Sequence, residues 1–229
     1  MALVAVGACY MDTILTFVSF LASRTSTPRV NALKHSCRTP HYPAEDEKQR
    51  ATSISRRRGG NCPNTLEVLQ QLIAASYQSL SLHLVSVLPA RLSSASQYII
   101  SDLEPGVQLK QCIFREASQE PASCYIIKSQ ATGSRTVVNH NELPEMTVDE
   151  FIENVQRLEP CPTWVHFEGR IPEVTRECIR YVQRQFPSAS VSVEIERPGR
   201  PGLQELAKLA NVVFYAKSWA LVSIQTPRS

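Results

Sequence analysis

The sequence lacks a strong excess of charge of either sign. Twenty-four lysines and arginines stand against 21 acidic residues, a net charge of +3 over 229 residues. That is too little to make nucleic acid or an anionic membrane the main partner. There is no C-x-x-C pair. Cys9, Cys37, Cys62, Cys112, Cys124, Cys161 and Cys178 are odd in number and scattered, so neither a disulfide framework nor a zinc site is indicated. Buried free thiols in a reducing, cytoplasmic setting are the simplest expectation. No run reaches the length of a membrane span. Residues 1–23 are mostly apolar but have no basic start, and Asp12 interrupts them. A buried strand over Leu3-Val4-Ala5-Val6 is preferred to a secretory leader, although residues 14–22 keep the leader open. No internal repeat is visible. What is present, 43% hydrophobic and 20% charged residues, is an ordinary globular composition with enough chain for one sizeable core or two small ones.

The most informative stretch is Arg56-Arg57-Arg58-Gly59-Gly60-Asn61-Cys62-Pro63-Asn64. It precedes Leu66, Leu69, Leu72, Ile73 and Leu80 at roughly helical spacing. Pro63 suits a first helical turn. Two glycines therefore stand just ahead of a helix N-terminus, with its unpaired N–H donors and partial positive charge. Glycines there let a ligand approach the backbone. Asn61 and Asn64 add amides that both donate and accept, as sugar hydroxyls require. The plainer alternative is an ordinary Gly-Gly turn before a helix.

The rest of the chain alternates in type. Residues 2–8 read as a buried strand, and residues 13–22 begin as a second. Residues 23–40 show no period and read as loop or disorder. A short strand at 50–56, a helix at 63–78, a strand at 81–88 and a helix at 93–103 follow. Strand-like runs at 107–114, 123–129 and 134–139 come next, the last two as a hairpin through Ala131-Thr132-Gly133. Thr147 and Glu150 form a capping-box pattern ahead of Phe151, Ile152, Val155 and Leu158. Thereafter come a strand at 163–167, a helix from Pro172 to Phe186, a strand at 190–195, a helix at 202–209 and a strand at 211–215. This alternation predicts an α/β fold with a mainly parallel sheet. Ligands in such folds bind outside the carboxyl ends of the strands, where Asp12, Glu168 and Lys217 are expected.

Several segments together resemble one family. Val6-Gly7-Ala8-Cys9-Tyr10-Met11-Asp12 is similar to the first-strand signature of PfkB-type carbohydrate kinases, and Arg58-Gly59-Gly60-Asn61-Cys62-Pro63-Asn64 to that family's Gly-Gly-Asn sugar-binding turn. Gly133-Ser134-Arg135-Thr136, Trp164-Val165-His166-Phe167-Glu168-Gly169-Arg170 and Val191-Ser192-Val193-Glu194-Ile195-Glu196 resemble the ketohexokinase branch, as does Val212-Val213-Phe214-Tyr215-Ala216-Lys217. The resemblance covers most of residues 1–16 and 41–220. It implies a ribokinase-like fold, a three-layer α/β/α core with a small β lid from strands near 13–18, 50–57 and part of 107–139. It implies transfer of the γ-phosphoryl group of ATP to a sugar hydroxyl with Mg²⁺, and it leaves a lid-to-lid homodimer open. In that comparison Asp12, Gly60, Asn61 and Asn64 hold sugar hydroxyls, Glu168 touches the sugar or a metal-bound water, and Arg135 and Lys217 meet phosphate. Each has a plainer alternative: Asp12 as a turn cap, Arg135 as a hairpin surface charge, Glu168 as a partner of Arg170. His166 reads as a packed histidine.

The sequence departs from the family at two places. Residues 17–40 form an unpatterned insertion in a lid connection. The Gly-Ala-Gly-Asp run that supplies the family's catalytic base and anion hole does not occur, and residues 221–229 match nothing. The expectation is a chain that keeps the sugar-holding side without the catalytic one. Its strand at 211–215 would form an exposed edge, favouring poor folding or association. Two other readings are an inactive sugar-binding or regulatory module and, should residues 1–22 be a leader, a secreted protein.

Overall fold

The computed structural model describes residues 1–17, 45, 46, 48, 50–76, 79–129, 133–219 and 221. The inserted residues 17–40 and the tail 221–229 lie outside that set, apart from Phe17 and Leu221. Two compact units emerge, one from residues 1–10, 58–122 and 142–229, the other from residues 11–57 and 123–141.

The larger unit is a parallel α/β layer structure. Its strands are β1 (Ala2–Val6), β4 (Ser81–Val85), β9 (Trp164–Glu168), β10 (Ser190–Ile195) and β11 (Val212–Tyr215). They lie in the order β11-β10-β9-β1-β4, and every pairing is parallel. A two-stranded parallel piece, β5 (Val87–Pro89) with β6 (Ile113–Arg115), stands beside it. The run at 107–114 therefore does not form one strand. Gln108 makes a single bridge to His83, and Cys112 turns back on Leu109 before β6 begins.

One face of the main sheet is closed by α3 (Val148–Val155), α4 (Pro172–Gln185) and α5 (Leu203–Leu209). Thr147 caps α3 by accepting from the Glu150 N–H at 3.2 Å, while Glu150 accepts from the Thr147 N–H at 2.9 Å. This reciprocal box fixes where the helix starts and so which way Phe151 and Val155 face. In α4, Thr175, Cys178, Ile179 and Val182 are buried, the i, i+3, i+4, i+7 stripe of an amphipathic helix. Val4, Val6, Val165, Phe167, Val191, Val193 and Ile195 meet these helices in the main core. The opposite face carries α1 (Asn61–Ser76), which packs on β4, β1 and β9. The second helix in sequence, α2 (Ser94–Leu103), packs on β5. Only the first turns of α1 are buried: Leu66 is fully so, whereas Leu72 is 59% exposed, so the helically spaced apolar residues face inward only near the helix start.

The smaller unit is a four-stranded sheet in the order β3-β2-β7-β8, with β2 (Tyr10–Phe17), β3 (Ser53–Gly59), β7 (Ser123–Ser129) and β8 (Arg135–His140). β2 runs parallel to β7, and β7 and β8 are antiparallel. Gly133, at φ +68°, turns this hairpin, a conformation that favours glycine. Ala131 and Thr132 of the same turn lie outside the described residues.

Candidate functional site

Three carboxylates and two close glycine approaches meet at the carboxyl end of the main sheet. Gly60 has φ +107°, and a Cβ there would stand 2.2 Å from the Ala8 carbonyl oxygen. Only glycine lets the chain turn so tightly into α1. Gly7 follows β1, and a Cβ on it would strike Cys62 Sγ at 2.5 Å and Glu168 Oε2 at 2.7 Å. The turn after β1, the start of α1 and the end of β9 are thus packed backbone to side chain. The N–H groups of the first turn of α1 have no carbonyl within the helix to meet.

Glu168 ends β9 and accepts from the Ala8 N–H through Oε2 at 2.8 Å. Asn61 donates through Nδ2 to both carboxylate oxygens of Glu194, each at 3.1 Å, which leaves the Asn61 Oδ1 turned to other partners. Burial pushes the Glu168 carboxyl above its ordinary value; the Ala8 N–H and Arg170 pull it down, and Glu194 and Glu196 push it up again. Burial also raises Glu194, opposed by the Asn61 amide and assisted by Glu196. Cys62 is fully buried beside these acids, and its thiol is pushed well up, first by burial and then by Glu168 and Glu194. A thiol so held is not a nucleophile.

The larger unit brings together Gly60, Asn61 and Glu168 of the expected site residues. Glu194, absent from that expected set, joins them through Asn61. Its alternation with Val193 and Ile195 on a strand of the recognised pattern was the available signal. Asn64 does not join this group. It is exposed, and its Oδ1 accepts from Arg58 Nη1 at 3.0 Å. Arg58, buried at 4% exposure, also bonds Asp102 Oδ2 at 2.8 Å and Glu67. The guanidinium fork needs several acceptors once out of water, and Asn64 is one of them. Glu168 meets Arg170 through its backbone carbonyl, which accepts from the Arg170 N–H at 2.8 Å, and the two side chains interact only electrostatically. The Arg170 guanidinium instead bonds Tyr10 and Glu145. Lys217 is exposed, two residues beyond β11.

Asp12 and Arg135 belong to the smaller unit. Asp12 lies inside β2 opposite Cys124, is 7% exposed, and has Arg57 Nε 3.5 Å from its Oδ2. It is a strand residue with a cationic partner, not a turn cap. Arg135 is exposed at the start of β8, across from Lys128.

Beside the carboxyl-end group, between α1 and the strands, lies a groove of about 510 Å³ floored by Trp164, His166, Ser192, Glu194 and Phe214. The Trp164 Nε1–H donates to Ser192 Oγ at 2.8 Å, and that oxygen lies 2.9 Å from His166 Nδ1. Burial lowers the His166 pKa, in keeping with a neutral, hydrogen-bonded ring as expected from the sequence. Of the cysteines described, Cys9, Cys62, Cys112, Cys124 and Cys178 are buried, whereas Cys161 is exposed. It sits in the loop before β9, where no layer covers it. No described helix is long and apolar enough to cross a membrane.

No family model matches the chain. Mouse ketohexokinase is 29% identical over 188 residues, 78% of this chain and 58% of that protein. The ribokinase of Thermotoga maritima superposes with a TM-score of 0.66 at 16% identity, over 98% of this chain and 63% of that one. By sequence and fold, the chain is a relative of the PfkB-type carbohydrate kinases. The ribokinase of Arabidopsis thaliana, solved with ribose and ATP, gives a TM-score of 0.60 at 16% identity over 95% of this chain. The fold is thus ribokinase-like, and the chain spans a little under two thirds of the length of these relatives.

Proposed function

We propose that this chain holds a ketohexose-like sugar at the start of α1, as the sugar-binding part of an ATP-dependent carbohydrate kinase. The observation that carries this reading is the joint placement of Gly60, Asn61, Glu168 and Glu194 at the carboxyl end of the sheet. A polyol needs acceptors and donors side by side. The second carboxylate oxygen of Glu168, the Oδ1 of Asn61 and the N–H groups of the first helical turn supply both. Glu194 orients the Asn61 amide, so that its oxygen rather than its nitrogen is offered to a sugar hydroxyl. Gly60 keeps the backbone bare enough for a ring to approach. In this reading Asp12 from the smaller unit accepts from a further hydroxyl, that unit serves as the lid, and lids of two copies pair into a homodimer. Asn64 contributes by anchoring Arg58 behind the turn.

ATP would be the phosphoryl donor, with Arg135 and Lys217 as the cations for its phosphates. Spreading charge over a transferring phosphoryl group is what an arginine does well. Among the described residues no group of three His, Cys, Asp or Glu is arranged to hold a metal ion, and Mg²⁺ would therefore come with the nucleotide. The sequence contains no Gly-Ala-Gly-Asp run. A second reading is accordingly a sugar-binding or regulatory module without turnover. Calorimetry with fructose, paired with an ATP turnover assay, tests both. Binding with turnover supports the kinase, binding without turnover supports the module, and absence of fructose binding defeats the two together.

A further inference from the structure

Helix α1 is apolar on two sides. Cys62, Pro63 and Leu66 are buried on the side that packs against β4, β1 and β9. A second stripe, Thr65, Val68, Leu69 and Leu72, follows the i, i+3, i+4, i+7 spacing of a helix face. Thr65 and Leu69 wall the groove of about 510 Å³, and Phe214 lines it from the edge strand β11. Val68 and Leu72 lie beside that wall on the open surface, 56% and 59% exposed. The 16 residues of α1 carry one charge, Glu67. Glu67 is two positions from Thr65, on the side turned away from this stripe, and Arg58 bonds its carboxylate. The stripe is therefore free of charge, as the core of a protein interface is. The polar atoms of the groove floor are already engaged. Trp164 Nε1, Ser192 Oγ and His166 Nδ1 meet one another, and Glu194 meets the Asn61 amide. An apolar partner covers such paired groups at little cost in lost hydrogen bonds.

A ridge, Val68 with Leu72, thus stands directly beside a groove on one face. A two-fold axis across such a face seats each ridge in the groove of the other copy, the ridge-into-groove packing common between helices. Residues near a two-fold axis meet their own kind, so a charged stripe would repel its own copy, and this one carries no charge. A 16-residue helix is about 24 Å long, and with the strands out to β11 the face spans about 500 Å² in projection, and more as accessible surface, against about 800 Å² per partner in a standard interface. We infer that this face is a homodimer interface, occupied by the α1 face of a second copy. A pair at the low end of the standard size is weak and concentration-dependent, so the face is open in dilute solution and covered at high concentration. Val68 and Leu72 stand about two and three turns beyond Asn61. The interface therefore stands whether or not the chain binds sugar, and it is separate from the lid pairing proposed above.

Sedimentation velocity of the full chain, from about 1 to about 200 μM, tests this. A reversible shift from monomer to dimer is expected. Val68→Lys/Leu72→Lys, altered at exposed positions only, should keep the far-UV circular dichroism and dimerise at least about ten-fold more weakly. Val68→Glu/Leu72→Glu should behave alike. An equimolar mixture of the lysine and glutamate variants should pair again, which neither does alone, because the partner is the same stripe on another copy. Val138→Lys, at an exposed position of β8 in the smaller unit, alters the lid surface and should leave this pairing in place. A chain that stays monomeric at about 200 μM would overturn the inference and leave the groove to a segment of another chain. So would a dimer that the lysine variant does not weaken, a dimer abolished by Val138→Lys instead, a lysine–glutamate mixture that stays monomeric, or growth into open-ended aggregates with no dimer plateau.

Discussion

The two faces of the main sheet are made from the same strands and differ in almost every physical respect. On the face under α3, α4 and α5, the strands present Val4, Val6, Val165, Phe167, Val191, Val193 and Ile195, none more than 5% exposed. On the α1 face the alternate positions are Leu3, Ala5, Trp164, His166, Ser192 and Glu194, with Phe214 beyond them at 52% exposed. A parallel sheet buried on both sides carries near-continuous apolar runs. Here β9 and β10 alternate instead, and their polar positions form a hydrogen-bonded row that leads to the carboxyl-end group. One face is the apolar core, and the other is the polar face on which the proposed sugar site is built.

That contrast can be broken by mutation. Phe167→Ala, in the closed face, should cost about 3–5 kcal/mol in urea unfolding; a cost below about 1 kcal/mol would show that this layer is not the core. Gly60→Ala places a Cβ against the Ala8 carbonyl at positive φ. It should cost about 1–3 kcal/mol and abolish fructose binding in calorimetry, and an unaltered affinity would detach the turn from the site. Glu150 sharpens the closed side. Its hydrogen bonds with Arg115, opposed by partial burial and aided by Thr147, hold its carboxyl at about 2, below the ordinary value for a glutamate. A folded-state value below the unfolded one stabilises above the ordinary carboxylate range, and the effect fades as pH falls through about 2. Glu150→Gln should therefore lose about 1–2 kcal/mol at neutral pH, allowing for solvent screening. The gap to wild type should close in acid, and a gap independent of pH would assign the loss to something else. At the small end, Phe214→Ala on the open face should change stability by less than about 0.5 kcal/mol, and a core-sized loss would mean that this face is covered in solution.

The architecture was largely legible in the sequence because each element carries its own local signal. The capping box at Thr147, the stripe of α4 and the proline at its start need no tertiary information. The run at 107–114 misled because apolar spacing does not reveal a chain that bridges once at Gln108 and turns at Cys112 before pairing again. The contact that Asn64 makes is hidden in the sequence for a related reason. Its neighbour in space, Arg58, is buried and demands acceptors, and a motif cannot show which amide it will take. Asp12 reads as a residue after a strand, yet β2 begins at Tyr10 and encloses it. Glu194 was passed over because an acid on a strand usually faces water, and only the fold puts it against Asn61.

The first turn of α1 is the proposed seat of the sugar. Residue-resolved hydrogen exchange with and without fructose addresses this directly, because the Asn61 and Cys62 amides stand at a helix start, where N–H groups lack intrahelical acceptors. The prediction is that fructose slows exchange at these two amides while leaving the helices of the closed face unchanged. Exchange at Asn61 and Cys62 that is indifferent to fructose would contradict it.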